Sequence, residues 1–374
     1  MMPGIKDVKD VEDFVRGATF LGTGGGGDPA KGIKFLKETF EKFGEIRWIS
    51  HEEISDNSWV ATPYYMGSIA PLTEEAKKKM KALGLTKKVI ERVLPEAVKE
   101  LQAYTQKKIS GLVAVELGGL NTPGPIDAGM HLGIPILDGD YAGRAIPEIC
   151  QTTPPMFGLN VTPIASVDEW GNKAIIKEAV NPEVAENIGK LISVAGFGLV
   201  GQAGYLMDGK TVKKVIIPGT LTKSLELGRA IREAREKGSD PVKAAVEYLE
   251  GWLLFKGVVT KKEWWDKEGY MWGITHIEGI DEFKGHKFKI WFKNENHVSW
   301  LDEEPYVTSP DIIEVVRLED AEPITNTDLQ ENTKVAVVGA KCHPKLRTPE
   351  GLKVLAPPHF GFEDIEYKPI EKVV

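Results

Sequence analysis

Cysteine is almost absent from this chain of 374 residues: Cys150 and Cys342 lie far apart and form no disulfide framework or close Cys/His zinc spacing. A reducing cytoplasm is the expected setting. No excess of positive charge is present, since 47 basic side chains stand against 55 acidic ones for a formal charge of -8. A surface that neutralises many phosphates is therefore not expected, and nucleic acid is excluded as a partner. Long apolar runs are missing too. The best, over residues 191–207, is broken by Gly196, Gly198, Gly201, Gln202 and Gly204, so no membrane span is expected. Residues 1–11 carry Lys6, Asp7, Lys9 and Asp10 where an export signal needs an apolar stretch. The seven histidines show no H-x-H or H-E-x-x-H spacing, which excludes a zinc hydrolase signature. No period of solenoid or propeller length repeats.

What is present reads as a folded α/β chain of two domains. Apolar positions Phe14, Val15, Ala18 and Leu21 recur at helical spacing up to Gly22. A glycine-rich stretch follows, and Asp28-Pro29 opens a second helix carrying Ile33, Leu36, Phe40 and Phe43. Short apolar runs at residues 46–49, 59–65, 112–115 and 134–137, with helical segments among them, predict a mainly parallel sheet. After about residue 160 the texture changes to a hairpin turning at Glu169-Trp170-Gly171-Asn172. A helix is expected over residues 182–194, strands over 199–207 and 212–217, helices over 224–236 and 241–248, and mostly strands over 253–338. The expected division is an α/β domain over residues 1–165, with the glycine-rich loop and a carboxylate cluster, and a β-rich mixed domain over 166–374.

Two segments carry the chemistry. Residues 22–27 match G-x-G-x-x-G literally, but a dinucleotide fingerprint follows a strand and this stretch follows a helix, so no NAD is expected. The alternatives are a tight helix-to-helix turn or a nest of backbone amides around a substrate oxygen. Thr23, Gly24, Gly25, Gly26 and Asp28 are the candidate substrate-binding residues there, joined by Asn121. The second segment spans residues 116–148, where Glu116, Asn121, Asp138 and Asp140 follow two predicted strands. In open α/β sheets that is where ligands bind. Glu116, Asp138, Asp140 and Glu148, with Arg144, are the candidate catalytic residues. Crowded carboxylates either hold one member protonated as a general acid or gather a divalent metal ion, and the sequence leaves both open. Cys150, a lone cysteine, reads as a small buried hydrophobe.

The order of motifs resembles a known family: G-T-G-G-G-G-D-P over residues 22–29, E-x-G-G-x-N over 116–121 and D-G-D-x-x-G-R-A-x-P-E over 138–148. Gly219-Thr220-Leu221, Asn294-Glu295-Asn296, Ser309-Pro310-Asp311, Arg347-Thr348-Pro349 and Phe360-Gly361 continue the resemblance through the second half. The family is that of S-methyl-thiohydantoin desulfurase, first catalogued as a domain of unknown function encoded with hydantoinase and oxoprolinase subunits. The resemblance implies water attack on the amidine-like carbon of an S-methylated thiohydantoin, with methanethiol leaving. The competing reading is an accessory subunit that docks with a hydantoinase or oxoprolinase partner and supplies no chemistry itself; a homo-oligomer is the expected assembly. In the enzymatic case Asp138 or Asp140 activates water and Glu116 or Glu148 supplies a proton. Arg144 and the glycine loop then steady the developing negative charge.

Overall fold

The computed structural model describes residues 3–67 and 73–374, and its strands fall into two sheets. The first contains β1 (Gly4–Ile5), β2 (Ile46–Ile49), β3 (Trp59–Met66), β4 (Ile109–Ala114), β5 (Ile136–Asp140), β6 (Ile164–Val167), β7 (Lys173–Ile176), β8 (Val200–Asp208) and β9 (Ile217–Pro218). Its order is β1-β2-β5-β4-β3-β8-β6-β7, with β9 added on β5. The pairings among β2, β5, β4 and β3 are parallel, and every pairing outside that core is antiparallel. β4 reads Ile-Ser-Gly-Leu-Val-Ala and is buried over its last four residues, as a central parallel strand covered on both faces must be.

Helices α1 (Val8–Leu21), α2 (Pro29–Phe43), α3 (Glu74–Ala82), α4 (Val93–Thr105), α5 (Pro123–Leu132), α6 (Thr153–Met156), α7 (Pro182–Ala195), α8 (Gly209–Val215), α9 (Thr220–Glu236), α10 (Pro241–Leu249) and α11 (Pro349–Leu355) surround the sheets. One apolar core joins α1, α4 and α5 to the first sheet through Phe14, Trp48, Leu94, Leu101 and Ile126. α1 and α9 cross at backbone distance: a Cβ on Gly17 would lie 1.8 Å from the Ser224 carbonyl oxygen, and one on Gly228 1.8 Å from that of Asp13. Among the described residues no helix is long and apolar enough to cross a membrane.

The second sheet is wholly antiparallel, in the order β14-β13-β12-β11-β10-β16-β15. Its strands are β10 (Trp252–Lys267), β11 (Tyr270–Gly279), β12 (Lys287–Lys293), β13 (Glu295–Leu301), β14 (Glu304–Thr308), β15 (Ile312–Arg317) and β16 (Lys334–Ala340). The expected architecture of a parallel-cored α/β half followed by a β-rich half is present.

Two expectations meet a different structure. Most of residues 212–217 is helical rather than extended, because the Asp208 carboxylate caps α8 by accepting from the Thr211 amide instead of turning a hairpin. The cut expected after residue 165 falls inside β6. β6, β7 and β8 close the first sheet, with β8 paired along the length of β3. A hairpin pattern reports antiparallel pairing but not which sheet receives it.

Candidate functional site

A cavity of about 420 Å³ opens between the two sheets. Its walls come from the glycine loop, the end of β3, the segments after β4 and β5, α7, and the β10–β11 and β12–β13 turns. Position follows from the fold: parallel strands deliver their carboxyl ends to one edge, and the second sheet caps that edge.

The glycine loop joins α1 to α2 and is stitched in place by its carbonyls. The Gly26 oxygen accepts from the Leu120 and Asn121 amides at 2.9 and 3.2 Å, and the Gly24 oxygen accepts from the Asn326 amide at 2.7 Å. Gly24, Gly25 and Gly26 line the cavity, as does Gly27. Thr23 and Asp28 do not. The buried Thr23 hydroxyl bonds to the Ile313 backbone, donating to its oxygen at 2.9 Å, and exposed Asp28 caps α2 by accepting from the Ala30 amide at 2.9 Å.

Glu116 sits just past β4 on the cavity wall. Its Oε1 accepts from the Asn121 amide group at 2.7 Å and its Oε2 from the Ile146 backbone N–H at 2.8 Å. Asn121, also on the wall, is fixed from behind because its Oδ1 accepts from the Tyr65 amide at 2.8 Å. Burial pushes the Glu116 carboxyl up to about 7 against the pull of those two donors. Facing the same cavity is Glu295, the first residue of β13. Burial raises it well above the carboxylate range and the nearby Glu116 charge raises it further, while Arg144 opposes both. Among the described residues Glu295 Oε2 is buried without a hydrogen-bond partner, and a Cβ on Gly25 would stand 1.9 Å from Oε1. The glycine is what lets this carboxyl approach the loop. Two acids in mutual electrostatic contact, both favouring the proton, have the chemistry that general acid–base catalysis requires.

The remaining candidates lie off the cavity wall. Asp138 accepts from the Leu221 and Thr222 amides at 3.0 and 3.1 Å, and so caps α9, whose own N-cap, Gly219, has no side chain. Asp140 is fully buried and accepts from the Ala142 and Gly143 amides at 2.9 and 2.6 Å; burial pushes it up to about 7. Arg144, also fully buried, donates to the backbone oxygens of Ala145, Asn296, Pro310 and Asp311. Its guanidinium thereby fastens the first half to the second. Glu148 pairs with Lys293 and, at 2.6 Å, with His359; burial would raise it, but those partners outweigh burial and hold it down at about 2. Cys150 is buried beside Glu148, and both burial and that charge keep its thiol protonated.

Glu295 is the cavity-lining acid that residue-by-residue reasoning did not single out. Its one signal is the Asn294-Glu295-Asn296 motif at a turn between strands, with Asn294 in the left-handed region at φ 57°. The cavity also takes Glu186 and Lys190 from α7, one helical turn apart and 3.5 Å between charged atoms. Burial lowers Lys190 to about 8. Among the described residues no group of three or more His, Cys, Asp and Glu side chains converges as a metal site requires.

No curated protein matches. A crystal structure of a protein from Chromobacterium violaceum is similar in fold, with a TM-score of 0.79 and 21% identity over 98% of this chain and 100% of that one. The model of the S-Me-THD-like N-terminal domain matches residues 9–178, and that of the S-Me-THD-like C-terminal domain matches residues 180–370. With both models placed in order along it, the chain belongs to the S-Me-THD-like family that its sequence motifs resemble.

Proposed function

We propose that this protein is a hydrolase of hydantoin-type rings, converting an S-methylated thiohydantoin to a hydantoin and methanethiol. Family membership supports the substrate class. One observation carries the chemistry: the buried side chains of Glu116 and Glu295 line one cavity, and Glu295 Oε2 has no hydrogen-bond partner among the described residues.

The two carboxyls divide the work by their environments. Glu116, poised near neutrality, takes a proton from water as the water oxygen bonds to the amidine-like ring carbon. The electrons of the C=N bond move onto the ring nitrogen, which takes the proton held by Glu295. The C–S bond then breaks, and methanethiolate leaves with the electron pair and receives the proton from Glu116. The hydroxyl proton returns to Glu295 as the carbonyl forms, so both acids end as they began. The reaction consumes one water, and Arg144 limits the charge that accumulates on the pair.

The test is incubation of the purified protein with S-methyl-thiohydantoins, hydantoins and oxoproline, scored by thiol release and ring opening. Methanethiol release by the wild type and its loss in Glu116→Gln is the expected result. A folded wild type that releases no thiol from any ring would overturn the reading, and a copurifying hydantoinase or oxoprolinase would then favour an accessory role.

A further inference from the structure

β10 continues beyond the end of its pairing with β16 at Val258, and past the register shift between Val259 and Lys261 the residues 263–268 are exposed. Strand alternation sets Lys262, Trp264 and Asp266 on one face, and all three line the cavity together with Met271 from the returning strand. Trp264 is 55% exposed although it stands on a cavity wall. Its partner directly across the hairpin is Gly273, which offers no side chain to cover the indole. The arm is also tied to the acid pair. The Met271 amide donates to Asn294 Oδ1 at 2.9 Å and the Asn294 amide donates to the Met271 oxygen at 2.7 Å, and Asn294 immediately precedes Glu295.

We infer that Trp264 is a substrate-binding residue that lays its indole over the flat face of the ring and holds it toward Glu295. This rests on the function proposed above. An S-methylated thiohydantoin presents a conjugated, planar amidine with a π face, and an exposed indole gains by covering such a face. The opposite side of the hairpin carries Trp265, which does not line the cavity.

The experiment compares wild type, Trp264→Ala, Trp264→Phe and Trp265→Ala on the S-methyl-thiohydantoin that the wild type turns over best. Hydantoin, the product of the proposed reaction, serves as the probe in fluorescence titrations. Trp264→Ala is expected to raise KM about tenfold, as loss of one stacked ring does, with Tm unchanged because the residue is half exposed. Trp264→Phe is expected to recover most of that loss, and Trp265→Ala to match the wild type. The hydantoin-induced fluorescence change is expected in wild type and in Trp265→Ala, and to disappear in Trp264→Phe. Wild-type turnover with an unaltered KM in Trp264→Ala would overturn this inference alone. A wild type that turns over no ring removes the functional reading and this inference with it.

Discussion

At the scale of single residues, the site turns on how burial separates acids of one chemical type. Glu148 has a lysine and a histidine for company and is held ionised, whereas Glu116 and Glu295 have mainly each other and amide donors and are pushed toward protonation. Glu295→Gln is expected to lower kcat by about 10²- to 10⁴-fold, the range for loss of a general acid, with little change in Tm; steady-state kinetics on the folded variant checks it. Gly25→Ala is expected to displace the Glu295 carboxyl, because the added Cβ would fall inside its van der Waals radius, and to lower kcat without altering the two acids themselves. The rate should rise with pH through about 7, as Glu116 gains its charge, and fall again where Glu295 loses its proton. A pH profile of kcat/KM reads both limbs. Of the residues singled out from sequence, Glu116, Asn121, Gly24, Gly25 and Gly26 line the cavity, because strand ends and glycine loops announce themselves locally. Glu295 lies far along the chain, and what gives it meaning is contact across the sheets, which no local pattern encodes.

At the scale of elements, acidic residues at strand ends serve helices as readily as substrates. Asp138 occupies the position a ligand-binding carboxylate would take, yet it accepts the first free amides of α9. Asp138→Ala is expected to cost about 1–2 kcal/mol of stability, the usual loss for a helix cap, with kcat unchanged in the folded variant; denaturant unfolding measures it. The same ambiguity governs Asp208-Gly209, where a turn signal and a cap signal share residues and the cap prevails. Helices α1, α2 and α7 and the strands β2 and β3 were legible in sequence because their apolar spacing is regular and the helix caps are explicit. The assignment of β6, β7 and β8 to the first sheet was not, because pairing partners are chosen by long-range packing.

At the scale of the whole molecule, the two halves are joined where the chemistry is placed. Arg144 belongs to the first half by sequence, yet its donors serve main-chain oxygens of Asn296, Pro310 and Asp311. Arg144→Met strands those buried oxygens and is expected to cost about 3–5 kcal/mol of stability, seen as a lowered unfolding midpoint. Asp140 adds a pH dependence. Its folded-state value of about 7 lies above the ordinary 3.8, so the folded protein binds this proton more tightly than the unfolded chain. The stabilisation is fully present below about pH 4 and is lost as pH rises toward 7. Wild-type Tm should therefore fall across that window relative to Asp140→Asn. In the proposed function, one buried pair of acids between the two sheets performs the hydrolysis. Single-turnover release of methanethiol from an S-methyl-thiohydantoin at pH 7, wild type against Glu295→Gln, addresses that most directly. A fast burst in the wild type and none in the folded variant is the expected result; equal bursts would contradict it.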